Sequence, residues 1–185
     1  MNVLAISGSL RSGSYNTSLL RALAEEAPVG VSVELWSGLR QIPPYDADED
    51  MTPGPASVES LRDAVAQADA VVFATPEYNS SVPGALKNAL DWASRPFATN
   101  SFRNKPVAVI ASSAGAFGGI WAQAELRKVL GAMGARVAEV ELAVGHVAEK
   151  LNPDGELVDP TVRQQLRDAL QAVLAEVAAD LATAA

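Results

Sequence analysis

Short apolar runs recur along the chain at 3–6, 31–35, 70–74, 107–111 and 137–142. Each is built from Val, Leu, Ile and Ala with few polar interruptions. That is the pattern of a strand buried on both faces, as in a parallel sheet, rather than one alternating between core and water. Between the runs the period changes. Over 16–27, 58–68, 83–94 and 119–133 apolar residues fall three and four apart, as in Leu19/Leu20/Leu23 and Leu86/Ala89/Leu90, which predicts amphipathic helices. A last helix is predicted from Pro160 to about Ala179, through Val162, Leu166, Leu170, Val173, Leu174 and Val177. Ser57 is placed to cap the second helix, and Pro83 suits an early position of the third, where its missing N–H matters little. This alternation predicts an α/β fold, a doubly wound five-stranded parallel sheet with helices on both faces. No longer repeat is visible, so residues 1–185 read as a single domain.

Three stretches, 8–14, 41–55 and 112–119, break the periodicity. In an open α/β sheet, ligands bind beyond the carboxyl ends of the strands, near the point where strand order reverses. The first and third stretches directly follow predicted strands, as does 75–81, so three loops from one sheet edge can converge on one site.

The first loop reads Ser7-Gly8-Ser9-Leu10-Arg11-Ser12-Gly13-Ser14-Tyr15-Asn16-Thr17 and leads into a helix. Glycines and hydroxyls between strand and helix surround an anion with N–H groups, and the helix dipole adds to the attraction. Arg11 supplies a cation. Gly8 and Gly13 are spaced as in a Walker A loop, but Ser14-Tyr15 stands where Lys-Ser/Thr is required, which argues against ATP or GTP. A dinucleotide fingerprint G-x-G-x-x-G is missing too, which argues against a Rossmann pyrophosphate site. A monophosphate fits better; the competing reading is a plain strand–helix turn with a serine cap.

Composition narrows the classes further. Lys and Arg number 14 against 22 Asp and Glu, a net charge of −8 that argues against a nucleic-acid partner. The chain has no Cys and one His, which removes disulfides, thiolate catalysis, iron–sulfur clusters and any multi-imidazole metal site. An apolar fraction of 49% with 19% charged residues suits a globular fold. No apolar run approaches the ~18 residues of a membrane span, and the amino terminus lacks the basic start of a secretory leader. A soluble, cytoplasmic protein that binds neither metal, nucleic acid nor membrane is therefore expected.

Gly-Ser-Leu-Arg followed by Ser-Tyr-Asn resembles the phosphate loop of the NAD(P)H-dependent FMN reductases, a flavodoxin-like family of bacterial quinone, azo-dye and chromate reductases. Two further stretches are similar: Thr75-Pro76-Glu77-Tyr78-Asn79 with Ser81-Val82-Pro83-Gly84-Ala85-Leu86-Lys87-Asn88-Ala89-Leu90-Asp91-Trp92, and Ser112-Ser113-Ala114-Gly115-Ala116-Phe117-Gly118-Gly119. Ile42-Pro43-Pro44-Tyr45-Asp46 resembles the loop after the second strand. The similarity runs over roughly residues 3–142.

The resemblance implies FMN as cofactor. Ser9, Arg11, Ser14, Tyr15 and Asn16 would hold its phosphate; Pro76, Glu77, Tyr78 and Asn79 would line the ring and ribityl chain; Ser112 and Gly115 would meet the pyrimidine edge. The flavin carries the electrons, so no catalytic side chain is expected. The implied activity is a ping-pong transfer from NADH or NADPH to a small acceptor such as a quinone, azo compound, chromate or free flavin. An FMN electron carrier without nicotinamide activity is the alternative.

The family commonly dimerises through the 86–92 helix and the segment after it. A homodimer or homotetramer is therefore expected, with Arg95, Pro96 and Phe97 reaching a neighbour. Several residues keep open readings. Tyr78 either covers the flavin or packs a loop corner, and Glu77 either touches flavin or caps a turn. Trp92, Phe97, Phe102 and Trp121 are core or interface. Asp46, Asp48, Glu49 and Asp50 form a solvated loop in preference to a cation site, and His146 belongs to a surface or interface rather than a triad.

Overall fold

The computed structural model describes residues 1–51 and 53–183; Thr52, within the predicted 41–55 loop, lies outside them. Four of the five apolar runs form strands where expected: β1 (Asn2–Ser7), β2 (Ser32–Trp36), β3 (Ala70–Thr75) and β4 (Pro106–Ser112). The fifth run does not form one strand. It divides into β5 (Arg136–Val137) and β6 (Leu142–Val144), both parallel to β4. At the break, Val140 N–H turns back to Ala138 C=O. Side chains from one helix face complete the pairing there. Arg127 Nη1 donates to Ala138 and Val140 carbonyls at 2.7 and 2.9 Å, and Gln123 Nε2 to those of Val109 and Leu142. Buried carbonyls need such partners. An apolar-run reading cannot see them, because the interruption is satisfied from another element.

The helices are α1 (Tyr15–Glu25), α2 (Ala56–Gln67), α3 (Gly84–Ala93), α4 (Ile120–Ala132) and α5 (Pro160–Thr183). Ser57 does not cap α2. Pro55 occupies the cap position, and Ser57 Oγ instead donates to Gln41 C=O at 3.0 Å, holding the 41–55 loop to the helix.

The sheet order is β2-β1-β3-β4-β5, with β6 also on β4, and every pairing is parallel. Strand alternation sends Val3, Ala5 and Val72 to one face, under α1 and α5, and Leu4, Ile6, Val71 and Phe73 to the other, under α2, α3 and α4. Trp92 and Phe102 are fully buried in the second core, whereas Phe97 and Trp121 remain exposed. The α3 face carrying Leu86, Leu90 and Trp92 is thus taken by the chain's own core. Arg95 folds back onto Asp50 at 3.1 Å, and Asp50 also meets Arg62, so this carboxylate of the acidic loop is paired. Strand order reverses between β1 and β3, which opens a crevice at their carboxyl ends.

Candidate functional site

A cavity of about 230 Å³ lies at that crevice. Its first wall is the turn into α1. Ser14 caps the helix by accepting from Thr17 N–H, and Ser7 and Thr17 hydroxyls bond each other beneath it at 2.9 Å. The N–H groups of Tyr15 and Asn16, in the first helical turn, have no intrahelical acceptor and carry the positive end of the helix dipole. Arg11 lies over the Tyr15 ring, its guanidinium 4.7 Å from the centroid, and donates to Gly13 C=O. Ser9, Ser14 and Asn16 complete this wall.

Asn16 is held differently from its neighbours. Its Nδ2 donates to Ser112 C=O at 3.1 Å and its Oδ1 accepts from Ser112 N–H at 3.0 Å. The side chain clasps α1 to the end of β4, and only its backbone N–H is left free at the cavity.

The second wall, Pro76, Glu77 and Tyr78, follows β3. Beyond it, Tyr78 and Ser81 exchange backbone hydrogen bonds across Asn79 and Ser80, both at positive φ (52° and 59°). Positive φ at both central positions is the two-residue hairpin pattern, and Asn tolerates it better than most residues. Asn79 therefore shapes the turn and does not line the cavity. Glu77 Oε2 accepts from Trp121 and Ala122 N–H at 3.1 and 3.2 Å, capping α4, whose own cap Gly119 has no side chain. Ser81 Oγ bonds Glu125 farther along α4 and holds its carboxyl below the ordinary range, with Val82 N–H assisting. Tyr78, about half exposed, stands at the mouth.

The third wall is Ser112, Ser113 and Ala114. Gly115 lies just outside, its N–H on Ser113 Oγ and its C=O accepting from His146 N–H. His146, exposed and at φ 48°, thus serves through its backbone. Ser113 is held on both sides by the end of β6 and the chain after it: its N–H donates to Val144 C=O and its C=O accepts from Val147 N–H. Gly145 makes that contact possible, since a Cβ there would sit 2.2 Å from Ala116 O. Ser112 Oγ is buried with no hydrogen-bond partner.

The chain matches the NADPH-dependent FMN reductase family over residues 1–149. It is 41% identical to the NAD(P)H-dependent FMN reductase PA1204 of Pseudomonas aeruginosa, covering 94% of this chain and 93% of that one. It is also 41% identical to the quinone reductase of Escherichia coli K12, covering 93% of each. The chain belongs to the NADPH-dependent FMN reductase family. The solved NAD(P)H:acceptor oxidoreductase FerB of Paracoccus denitrificans superposes with a TM-score of 0.85 at 35% identity, over 95% of this chain and 96% of that one.

The reductase uses FMN as cofactor and a reduced nicotinamide dinucleotide as electron donor, on a flavodoxin-like fold. The cavity suits that cofactor on its own terms. It offers a phosphate two free helix N–H groups, two serine hydroxyls and a guanidinium, and offers a ring the orphaned buried hydroxyl of Ser112. Ser113 and Ala114 also line the cavity; sequence reasoning places Ala114 in the glycine-rich 114–119 segment whose backbone N–H groups are candidate donors to the ring, and gives Ser113 no role of its own. The signal for them was positional: they directly follow a buried strand at the sheet's ligand edge.

Proposed function

We propose that the reductase seats FMN among residues 8–16, 75–81 and 112–115 and delivers electrons to a quinone. Residues 1–185 act as one FMN-binding domain in this reading, supported by two cores that share a single sheet. When bound, FMN would supply the two-electron redox chemistry between donor and acceptor. The chain binds and orients. Arg11, Ser9, Ser14 and the N–H groups of Tyr15 and Asn16 form the phosphate cradle. Pro76, Glu77 and Tyr78 border the ring, with Asn79 setting the turn that aims them. Ser112 donates to the ring's polar edge, while Gly115 shapes the loop that carries its neighbours. No side chain is assigned as acid, base or nucleophile.

The single observation that carries this reading is the gathering of free helix N–H groups, Arg11 and the orphaned Ser112 hydroxyl around one cavity at the switch point. A quinone as acceptor is supported by the relative named quinone reductase. Work in the cytoplasm, where reduced dinucleotides are made, belongs to the same proposal. So does assembly into a homodimer or homotetramer, supported by the exposed Phe117, Ile120 and Trp121 beside the site.

The test is anaerobic. NADPH should bleach the flavin band of the reconstituted protein and benzoquinone should restore it, with higher kcat/KM than chromate, an azo dye or free FMN. Persistent yellow colour with both donors would instead indicate an electron carrier. Arg11→Ala should raise the FMN Kd roughly tenfold to a hundredfold, because a charge-assisted hydrogen bond contributes about 1.5–3 kcal/mol. An unchanged Kd removes Arg11 from the cradle.

A further inference from the structure

A second cavity, of about 320 Å³, adjoins the first at the carboxyl ends of β1 and β2. Ser9 and Arg11 line both, so the phosphate loop is a partition between two hollows. Arg21 reaches the second from α1, and Arg40 from the short helical turn Gly38–Gln41 after β2. Three guanidinium groups therefore share a space whose walls include neither Asp nor Glu.

That arrangement runs against the rest of the molecule. Acidic residues outnumber Lys and Arg by 22 to 14, and Arg62, Arg95, Arg127, Arg163 and Arg167 each meet a carboxylate. Among the described residues, Arg11, Arg21 and Arg40 meet none. Arg40 donates to Leu10 C=O at 2.7 Å and Arg11 to Gly13 C=O, both of which leave the positive charge uncompensated. Clustered cations without counterions repel one another, and an anion of high charge density relieves that repulsion. The opposite wall is apolar, made by Leu35 and Trp36. The indole folds down over Gly38, where a Cβ would lie 2.3 Å from the ring, and any larger residue there would displace it.

We infer that this cavity takes the 2′-phosphoadenosine end of NADPH and selects NADPH over NADH. The inference rests on the functional reading above, because a donor whose nicotinamide meets FMN seated in the first cavity passes the shared Ser9–Arg11 wall to reach the second. The phosphomonoester dianion matches the guanidiniums of Arg21 and Arg40, which line this cavity alone while Arg11 on the shared wall serves the FMN phosphate, and a planar base matches the Trp36 and Leu35 surface. NADH lacks only that phosphate, so the arginines discriminate between the two donors.

Two arms test it. In the first, the FMN-loaded protein is titrated calorimetrically with 2′,5′-ADP, 5′-AMP and inorganic phosphate. The expected order has 2′,5′-ADP at least tenfold tighter than either of the others. Arg21→Ala should weaken it at least tenfold, Arg21→Glu more, and Arg21→Lys should recover part of the loss. Arg21 is an exposed helix residue, and circular dichroism of each variant checks that it folds. In the second arm, the ratio of KM for NADH to KM for NADPH should fall toward one in Arg21→Ala and Arg40→Ala. Equal Kd values for 2′,5′-ADP and 5′-AMP overturn the inference. So does an equal rise in KM for both donors, which would place the shared pyrophosphate there. Tight phosphate binding alone, matching 2′,5′-ADP, overturns the nucleotide assignment. These failures leave the redox reading intact, whereas wild-type protein that oxidises neither dinucleotide sinks that reading and this one with it.

Discussion

At the residue scale, the same loop holds side chains of two kinds, and sequence spacing alone does not separate them. Arg11 and Ser9 belong to a strand–helix turn whose glycines and hydroxyls announce an anion, so their chemistry is local and legible. Asn16 sits in the same run, yet its amide serves Ser112, 96 residues away, on both donor and acceptor sides. Nothing local marks that partnership. Asn16→Ala should strand Ser112 N–H and C=O in a buried position, destabilising the protein by about 1–3 kcal/mol. Urea unfolding of the flavin-free protein measures this, and a loss well under 0.5 kcal/mol would show that water replaces the amide. Glu77 behaves in the same way, since the helix end it caps starts more than forty residues later. Asn79 was recognisable as part of a motif, but its contribution is a positive φ rather than a contact.

At the scale of elements, the strands and helices are legible from periodicity because each is a local pattern of apolar positions. The fifth strand is the exception. The 137–142 run is largely apolar, yet its middle leaves the sheet, since Arg127 and Gln123 of α4 satisfy the freed carbonyls. Packing between elements also yields two predictions. Glu26 at the end of α1 bonds Arg163 and then Arg167 of α5, and these contacts hold its carboxyl below its ordinary 4.5. A depressed carboxyl stabilises the fold above its unfolded pKa and loses that contribution as pH falls through its folded value. Glu26→Gln should therefore be less stable than wild type above about pH 5, with the gap closing on acidification below 4.5. Thermal melts across pH 3–7 read this, and a gap that stays constant with pH would refute it. Gly145→Ala should crowd the Ala116 carbonyl, cost about 1–3 kcal/mol as overpacking does, and weaken FMN binding because the displaced loop carries Ser113 and Ala114. A flavin titration that matches wild type would show the loop to be insensitive to its support.

For the whole molecule, the exposed aromatic rings predict assembly. Phe117 is 63% and Trp121 47% exposed, their rings 5.1 Å apart on the rim of the site. Such a patch is costly in water unless covered. Trp121→Ser combined with Phe117→Ser should shift sedimentation velocity toward the monomer; wild type sedimenting as a monomer at micromolar concentration would remove the basis for the assembly. The chain's sequence by itself determined the α/β class, most helix and strand positions, the glycine- and serine-rich turn into the first helix and the family, since each depends on residues close along the backbone. Only the tertiary structure decided which motif side chains face the cavity and which brace it, where the fifth strand breaks, and that three arginines without carboxylate partners share a second hollow. Those outcomes depend on groups from separate elements meeting in space, and hydrogen bonds and charges act over ångströms of distance, not over positions in a chain.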